Sequence, residues 1–465
     1  MPKKYHIEVL PSPPRFTPVG KSGIVDWGES CLKCHSCVKK LCVYNVYQKR
    51  SFDGSQMIDS LDVLCKNCFR CVQECTKGIL AKSSNPEYLK LGDSYYTPDI
   101  ISSNWYQAET GKIPVSGAGY GGVFAGPGFD EMWTDMSEIV RPTRDGIHGR
   151  EYISTSVDLG SKLSFLEFAP SEEILTPLPP LVEIPVPFIF NLLPLGDLSQ
   201  NLYLALAKSA FELSTFLTIE HDRINSSFSP YLDALIPHFQ ECRINPDTTD
   251  LIKRARIVQI GYQENVIDRI REIKNINPRV IVSTQVFLDG KAAGIVDTLT
   301  DQGSEVIHLC ADIHGKERGE ENPRFIKDVL RDIHLMLVEK GKRDSVTLIA
   351  SGGIAMAEHV AKVIICGADA VALDIPLLLA LECRLCLKCQ HGLSCPVKIA
   401  QVTPEWGTKR IINLIGAWRN QLLEVLGAMG LREIRRIRGE TGRAIFFNDI
   451  EQETFGKMFG ERQQA

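Results

Sequence analysis

Three runs of cysteine carry the clearest chemistry in this 465-residue sequence. The first is Cys31, Cys34 and Cys37 followed by Cys42, and the second is Cys65, Cys68 and Cys71 followed by Cys75. A triplet with two-residue gaps wraps three corners of an iron–sulfur cubane, and the fourth ligand comes from elsewhere. In two-cluster ferredoxins the last cysteine of each run ligates the other cluster. That rule assigns Cys31, Cys34, Cys37 and Cys75 to one [4Fe-4S] cluster, and Cys65, Cys68, Cys71 and Cys42 to a second. Disulfides suit small secreted scaffolds, and zinc takes pairs of pairs rather than two copies of a triplet plus one. The proline that commonly follows the fourth cysteine is replaced by Val43 and Thr76, and four residues instead of three precede Cys42. Neither departure removes a ligand. A third run, Cys383, Cys386, Cys389 and Cys395 before Pro396, has the same form. It stands singly, so zinc remains a closer rival there, and an iron–sulfur reading leaves [4Fe-4S] and [3Fe-4S] both open. Cys242, Cys310 and Cys366 are isolated and read as small buried apolar residues.

The rest of the chain must position these groups. Its length allows two or three domains, and 44% hydrophobic with 23% charged residues is ordinary for a globular protein. A net charge of −5 gives no reason to expect a nucleic-acid partner. The apolar stretch 181–195 is cut by Glu183 and prolines, so direct membrane insertion is not expected, and the N-terminal lysines precede no apolar signal core. Twelve cysteines in metal-like runs, among fifteen, suit a reducing, cytoplasmic setting.

Composition divides the chain into five parts. An extended arm (1–25) leads into a ferredoxin-like 2[4Fe-4S] module (26–85). An irregular connecting segment packed on the barrel (86–180) precedes the barrel itself with the third cysteine loop (181–400), and C-terminal helices (401–465) close the chain. The irregular segment holds the glycine-rich stretch 117–122, which reads as a tight turn rather than a phosphate loop. It also holds a cluster with Arg141, Arg144 and Arg150, either a solvated loop or a face toward an anionic cofactor. From 181 onward β-branched runs alternate with amphipathic stretches. Strands are predicted at 184–190, 216–220, 256–260, 280–284, 305–311, 346–350 and 370–373, and helices at 201–213 and 265–273. Such alternation predicts an α/β fold, a (β/α)8 TIM-like barrel, with a doubly wound sheet as the alternative. In a barrel the chemistry sits where the strands end. That rule selects Glu220, His221 and Asp222, then Gln259, Tyr262, Gln285, Asp312 and His314, and finally Ser351, Gly352, Gly353 and Asp374. Gly352-Gly353 suits either a phosphate or a plain strand-to-helix turn.

The order of parts resembles the archaeal-type large subunit of glutamate synthase, a ferredoxin module fused to an FMN barrel without an amidotransferase domain. The resemblance is carried by the paired cysteine runs, by 107–112 (Gln-Ala-Glu-Thr-Gly-Lys), by the late-barrel stretch from Gly352-Gly353 to Asp369 that leads into Cys383 and Cys395-Pro396, and by the tail from Leu426 to Arg443. It implies FMN in the barrel and an iron–sulfur cluster on the cysteines after the last strands. It places Gly196 in what remains of the flavin loop after the first strand, and Gln259 where the family has a lysine after the third. Ile313, His314 and Gly315 stand in the family's glycine-rich loop after the fifth strand. Asp374-Ile375 replaces a Gly-Thr pair near the flavin phosphate, where a carboxylate repels a phosphate unless a cation compensates.

The expectation is therefore an iron–sulfur flavoprotein oxidoreductase on a substrate other than 2-oxoglutarate. Ser351, Gly352, Gly353, Gly196, Gln259, Arg141 and Arg144 are the cofactor-binding candidates, and His221, Asp222, Asp312 and His314 the proton donors. The partner would be a ferredoxin, a flavoprotein or an NAD(P)H-oxidising subunit. The alternatives are a flavin-free electron-transfer subunit and glutamate synthesis proper.

Overall fold

The computed structural model describes residues 5–25, 42–44, 46, 65, 67–78, 80–113, 128–134, 152–163, 165–195, 198–240 and 245–460. The chain forms two compact units: Met1–Ser12, Ser103–Cys383 and Leu387–Ala465 make one, and Pro13–Ser102 with Arg384–Cys386 the other. Cys31, Cys34, Cys37, Gly196, Arg141 and Arg144 lie outside the described residues.

In the larger unit eight parallel strands close into a barrel in sequence order. They are β1 (Phe188–Phe190), β2 (Leu217–Glu220), β3 (Leu235–Phe239), β4 (Ile257–Gly261), β5 (Ile281–Phe287), β6 (Val306–Cys310), β7 (Thr347–Ser351) and β8 (Ala370–Leu373). Seven of these match the predicted strands, and β3 is new. The predicted strand 184–190 spans parts of two strands, because Pro185 and Pro187 break it. Ile184 belongs instead to a separate strand, Leu181–Ile184, which pairs antiparallel with Val157–Gly160 as a hairpin. That hairpin plugs the N-terminal end of the barrel. Leu159 is fully buried there, and Thr347 Oγ1 donates to the Gly160 carbonyl at 2.7 Å. A Cβ on Gly160, at φ +127, would sit 2.5 Å from the Pro180 carbonyl, so only glycine fits.

The outer helices are α1 (Gln200–Glu212), α2 (Pro246–Arg254), α3 (Val266–Ile276), α4 (Ala292–Asp301), α5 (Ile326–Glu339), α6 (Ala357–Ile365) and α7 (Ile375–Ala380), then the long α8 (Pro404–Ala428). Capping sets several of their starts: Ser199 accepts from Leu202 N, and Asn245 with Thr248 forms a reciprocal capping box on α2. No α-helix separates β2 from β3; two 3₁₀ turns, His221–Arg223 and Ser226–Ala234, make the link. Helix α8 is anchored by two buried polar residues. Arg410 Nε donates to the Ala380 carbonyl at 2.7 Å, and Asn413 exchanges bonds with the backbone of Leu10 at 3.0 and 2.7 Å. At the plugged end Asp369 accepts from Arg343 (2.7 Å) and Arg438 (2.9 Å). Burial alone would raise its carboxyl, but the two guanidiniums and Lys162 hold it well below the ordinary range.

In the smaller unit Ser22–Val25 pairs antiparallel with Ala81–Ser84, Ser22 facing Ser84. Among the described residues no helix is long and apolar enough to cross a membrane.

Candidate functional site

The inward-facing residues of β3 to β7 form a polar column inside the barrel. Strand pairing sets His238 beside Gln259, Gln259 beside Ser283, Gln285 beside His308, and Cys310 beside Ser351. At that parity, period-two side chains all point to the axis. Gln259 is therefore mid-strand and 2% exposed, not at a strand end, because β4 runs on to Gly261 and the Gln259 side chain points to the axis. The loops expected after the third and fifth strands follow β4 and β6.

Gln259 joins two histidines that carry no signal in the sequence. Its Nε2 donates to His238 Nδ1 at 3.2 Å, and its Oε1 accepts from His308 Nδ1 at 3.0 Å. A neutral imidazole has one donor and one acceptor nitrogen. His238 Nε2 must then donate, and it meets Gln240 Oε1 at 3.0 Å; His308 Nε2 must accept, and it meets Ser351 Oγ at 3.0 Å. The chain Ser351→His308→Gln259→His238→Gln240 thus runs in one direction with every member satisfied. Burial keeps both rings neutral: it lowers His238 and pushes His308 down to about 3. Beneath them lies a small cavity lined by Leu159, Ile189, Thr218, Ile236 and Ser283 among others.

Above the column, at the C-terminal mouth, stand Cys310, Gln285, Ser351 and Asp374. Gln285 Nε2 donates to Cys310 Sγ at 3.4 Å, and burial pushes that thiol up to about 11, which makes it an inert neutral group. Asp374 is 8% exposed; burial raises its carboxyl to about 6, and it accepts from Ile375 N at 2.5 Å as the cap of α7. The Arg318 guanidinium lies 4.0 Å over the Phe287 ring, and its charge acts on both Asp374 and Cys310.

The four proton-donor candidates do not converge. His221 and Asp222 follow β2, whereas Asp312 and His314 follow β6, four strands away in the ring of eight. His221 Nδ1 donates to the His238 carbonyl at 3.3 Å, and Asp222 is exposed. The Asp312 carboxylate accepts from His314 N (2.9 Å) and Lys316 N (2.8 Å), so it shapes its own loop.

Gly352 and Gly353 pack against that loop. Gly353 N donates to the Ile313 carbonyl at 3.3 Å, and a Cβ on Gly353 (φ +68) would lie 2.7 Å from Gly315 Cα. The close approach of two loops accounts for the glycines, which form a strand-to-helix turn here.

The described mouth fits the ring end of a flavin. Asn191 Oδ1, just after β1, is buried without a hydrogen-bond partner among the described residues, and Ser351 and Gln285 supply further polar groups. It does not offer Gly353 N–H or the first N–H of α7 to a phosphate, since both are already bonded.

Two cysteine runs have described backbones. Cys68 is flanked by Asn67 (φ 56) and Phe69 (φ 57), and Cys386 by Leu385 (φ 49) and Leu387 (φ 54). These are left-handed conformations on non-glycine residues, which cost about 1–2 kcal/mol each. Chain that alternates into αL forms amide-lined concavities used by many iron–sulfur sites. Lys82 Nζ lies 2.8 Å from Cys65 Sγ, so an anionic sulfur there has a cation beside it. Among the described residues no three His, Cys, Asp or Glu side chains gather as a site for a single metal ion.

Residues 235–432 match the conserved region in glutamate synthase. The archaeal glutamate synthase [NADPH] of Archaeoglobus fulgidus is 25% identical, with 92% of this chain and 95% of that one covered. The archaeal-type enzyme of Dehalococcoides mccartyi is 26% identical over 88% and 92%, and that of Methanocaldococcus jannaschii 25% over 99% of each. Among solved structures, the flavin-binding domain of baker's yeast flavocytochrome b2 is 14% identical over 71% of this chain and 87% of that one, with a TM-score of 0.40. The chain is thus similar along nearly its whole length to the archaeal-type glutamate synthases, with the conserved glutamate synthase region lying on its barrel and the start of its tail.

Proposed function

We propose that the protein is an iron–sulfur flavoprotein oxidoreductase of the glutamate synthase type. The observation that carries the iron–sulfur part is the matched pair of left-handed residues around Cys68 and Cys386. Two separate runs keep the same costly backbone around the middle cysteine, as one loop shape for one kind of ligand would require. Cys31, Cys34, Cys37 and Cys75 would hold one [4Fe-4S] cluster, Cys65, Cys68, Cys71 and Cys42 a second, and Cys383, Cys386, Cys389 and Cys395 a third. FMN, when bound, supplies the two-electron to one-electron exchange that such clusters need. The chain's own part is to hold the ring over Ser351, Gln285 and Asn191 and to keep the column beneath it uncharged. His221, just after β2 with its Nδ1 on the His238 carbonyl, is the proton carrier we favour.

The donor would be a ferredoxin or an NADPH-oxidising subunit. NADPH is in the names of the archaeal-type relatives, and ferredoxin in that of a more distant one from Pyropia yezoensis. The expectation of a substrate other than 2-oxoglutarate draws no support from relatives named glutamate synthases. Glutamate synthesis proper is accordingly the second reading, and glutamine- or ammonia-dependent consumption of 2-oxoglutarate tests it.

The primary test is the content of iron, sulfide, zinc and flavin in protein purified without oxygen. About twelve iron atoms per chain with one flavin is the expected result. Cys386→Ser should remove about four of those irons and leave the rest. Zinc at one per chain, lost on that substitution, would replace the third cluster with a zinc site.

A further inference from the structure

Barrels commonly bind phosphate after their seventh and eighth strands, through backbone N–H groups at the start of a short helix. In this chain that position is already filled from within. The Asp374 carboxylate sits on the first N–H of α7, 2.5 Å from Ile375 N. Gly353 N–H, the matching donor after β7, is committed to the Ile313 carbonyl. The Cβ positions of Gly352 and Gly353 fall against residues 311–315, so that side of both glycines is already occupied. The nearby cation is engaged too: Arg318 is stacked on Phe287, donates to the Ala311 carbonyl at 3.4 Å, and faces Asp374 and Cys310.

Resting on the flavin reading above, we propose that Asp374 is a built-in anion that takes the place of a ligand phosphate at the β7–β8 end of the mouth. The site would then bind a flavin through its ring and gain nothing from a phosphate placed there. A ligand's end at this position must be neutral or cationic, since a phosphate would stand beside a buried carboxylate. The exclusion is local: a phosphate held by another part of the chain would still distinguish FMN from riboflavin, and the experiment detects this.

The test is an equilibrium titration of anaerobically prepared, cluster-containing protein with riboflavin, FMN and inorganic phosphate, for the natural chain and for Asp374→Ser. Serine keeps a capping oxygen on α7, and Asp374→Asn is a second variant should the serine protein fold poorly. For the natural chain, FMN is expected to bind within roughly twofold of riboflavin. Asp374→Ser should tighten FMN by about tenfold and leave riboflavin unchanged. FMN about tenfold tighter than riboflavin in the natural chain, with no change in Asp374→Ser, overturns the proposal. If neither flavin binds the natural chain, the flavin reading itself fails, and the variant alone decides the role of Asp374. A gain in affinity for FMN or phosphate supports that role, and no gain refutes it.

Discussion

Gln259→Met is the substitution that most directly probes the barrel interior. Methionine nearly matches glutamine in volume, so the packing change alone should cost less than about 1.5 kcal/mol. Two hydrogen bonds disappear, one to each histidine. The Nδ1–H of His308 and the Nδ1 lone pair of His238 are then left buried without partners. Each such orphan costs about 1–3 kcal/mol, so the expected loss is about 2–6 kcal/mol. Urea unfolding of the anaerobic protein, followed by far-UV circular dichroism, would read it as a lower midpoint at unchanged slope. The double variant Gln259→Met with His308→Phe should lose less than the sum of the two single changes, because it removes an orphan together with its missing partner. The pH dependence that His308 adds has a definite sign. His308 ordinarily titrates near 6.5 and is held at about 3 in the folded barrel. Below pH 6.5 the unfolded chain binds a proton that the folded one refuses. The His308 contribution is therefore flat above neutrality and falls by up to about 1.4 kcal/mol per pH unit as acid is added, and comparison with His308→Phe isolates it. A loss under about 0.5 kcal/mol for Gln259→Met would refute the argument. It would mean that water reaches both imidazoles from the cavity below.

Other outcomes rest on single contacts. Asp369→Asn should destabilise by about 3–5 kcal/mol near neutrality, since it leaves the buried Arg343 without its counter-charge. In the natural protein this contribution is present above the ordinary carboxylate range and fades as pH falls toward the depressed value, which acid unfolding with and without the substitution would show. Glu358 is the reverse case, its carboxyl raised by burial to about 7 while Gln421 donates to it at 2.8 Å. Glu358→Gln should raise the melting temperature at pH 8 and leave it unchanged at pH 4, where the glutamate is already neutral. Gly353→Ala should cost about 1–3 kcal/mol from its left-handed backbone and its contact with Gly315, seen by the same melts.

Most of the barrel is legible in the sequence because seven of its strands are β-branched runs followed or preceded by helical periodicity. The eighth, Leu235–Phe239, carries Pro237 in its middle and is reached through 3₁₀ turns, so neither its composition nor its flanks signal a strand. Missing it lowers the number of every later strand by one, which is why the loop after the third predicted strand follows β4. His238 and His308 are hidden for a related reason. Inside a closed barrel the two-residue alternation separates core from helix layer, both buried, so an inward histidine sits in a run that reads as uniformly apolar. The cysteine triplets are legible because ligand spacing is local. Asp374 is recognisable in the sequence as the wrong charge for a phosphate, but its role as the cap of α7 depends on a backbone turn with no sequence signature of its own.

The one-way sense of the interior chain has a consequence for whatever enters the mouth. The Ser351 hydroxyl has a single proton, and it is spent on His308 Nε2. A visitor that tries to draw this proton must leave a fully buried imidazole nitrogen bare. To a ligand Ser351 therefore behaves as an ether rather than an alcohol: it welcomes N–H and O–H groups and turns away carbonyls. Four residues on four strands, with Gln240 just past β3, thus act as a polarity filter at a single oxygen, and the group that sets its sense, the Gln259 amide, lies deep in the barrel beneath the mouth.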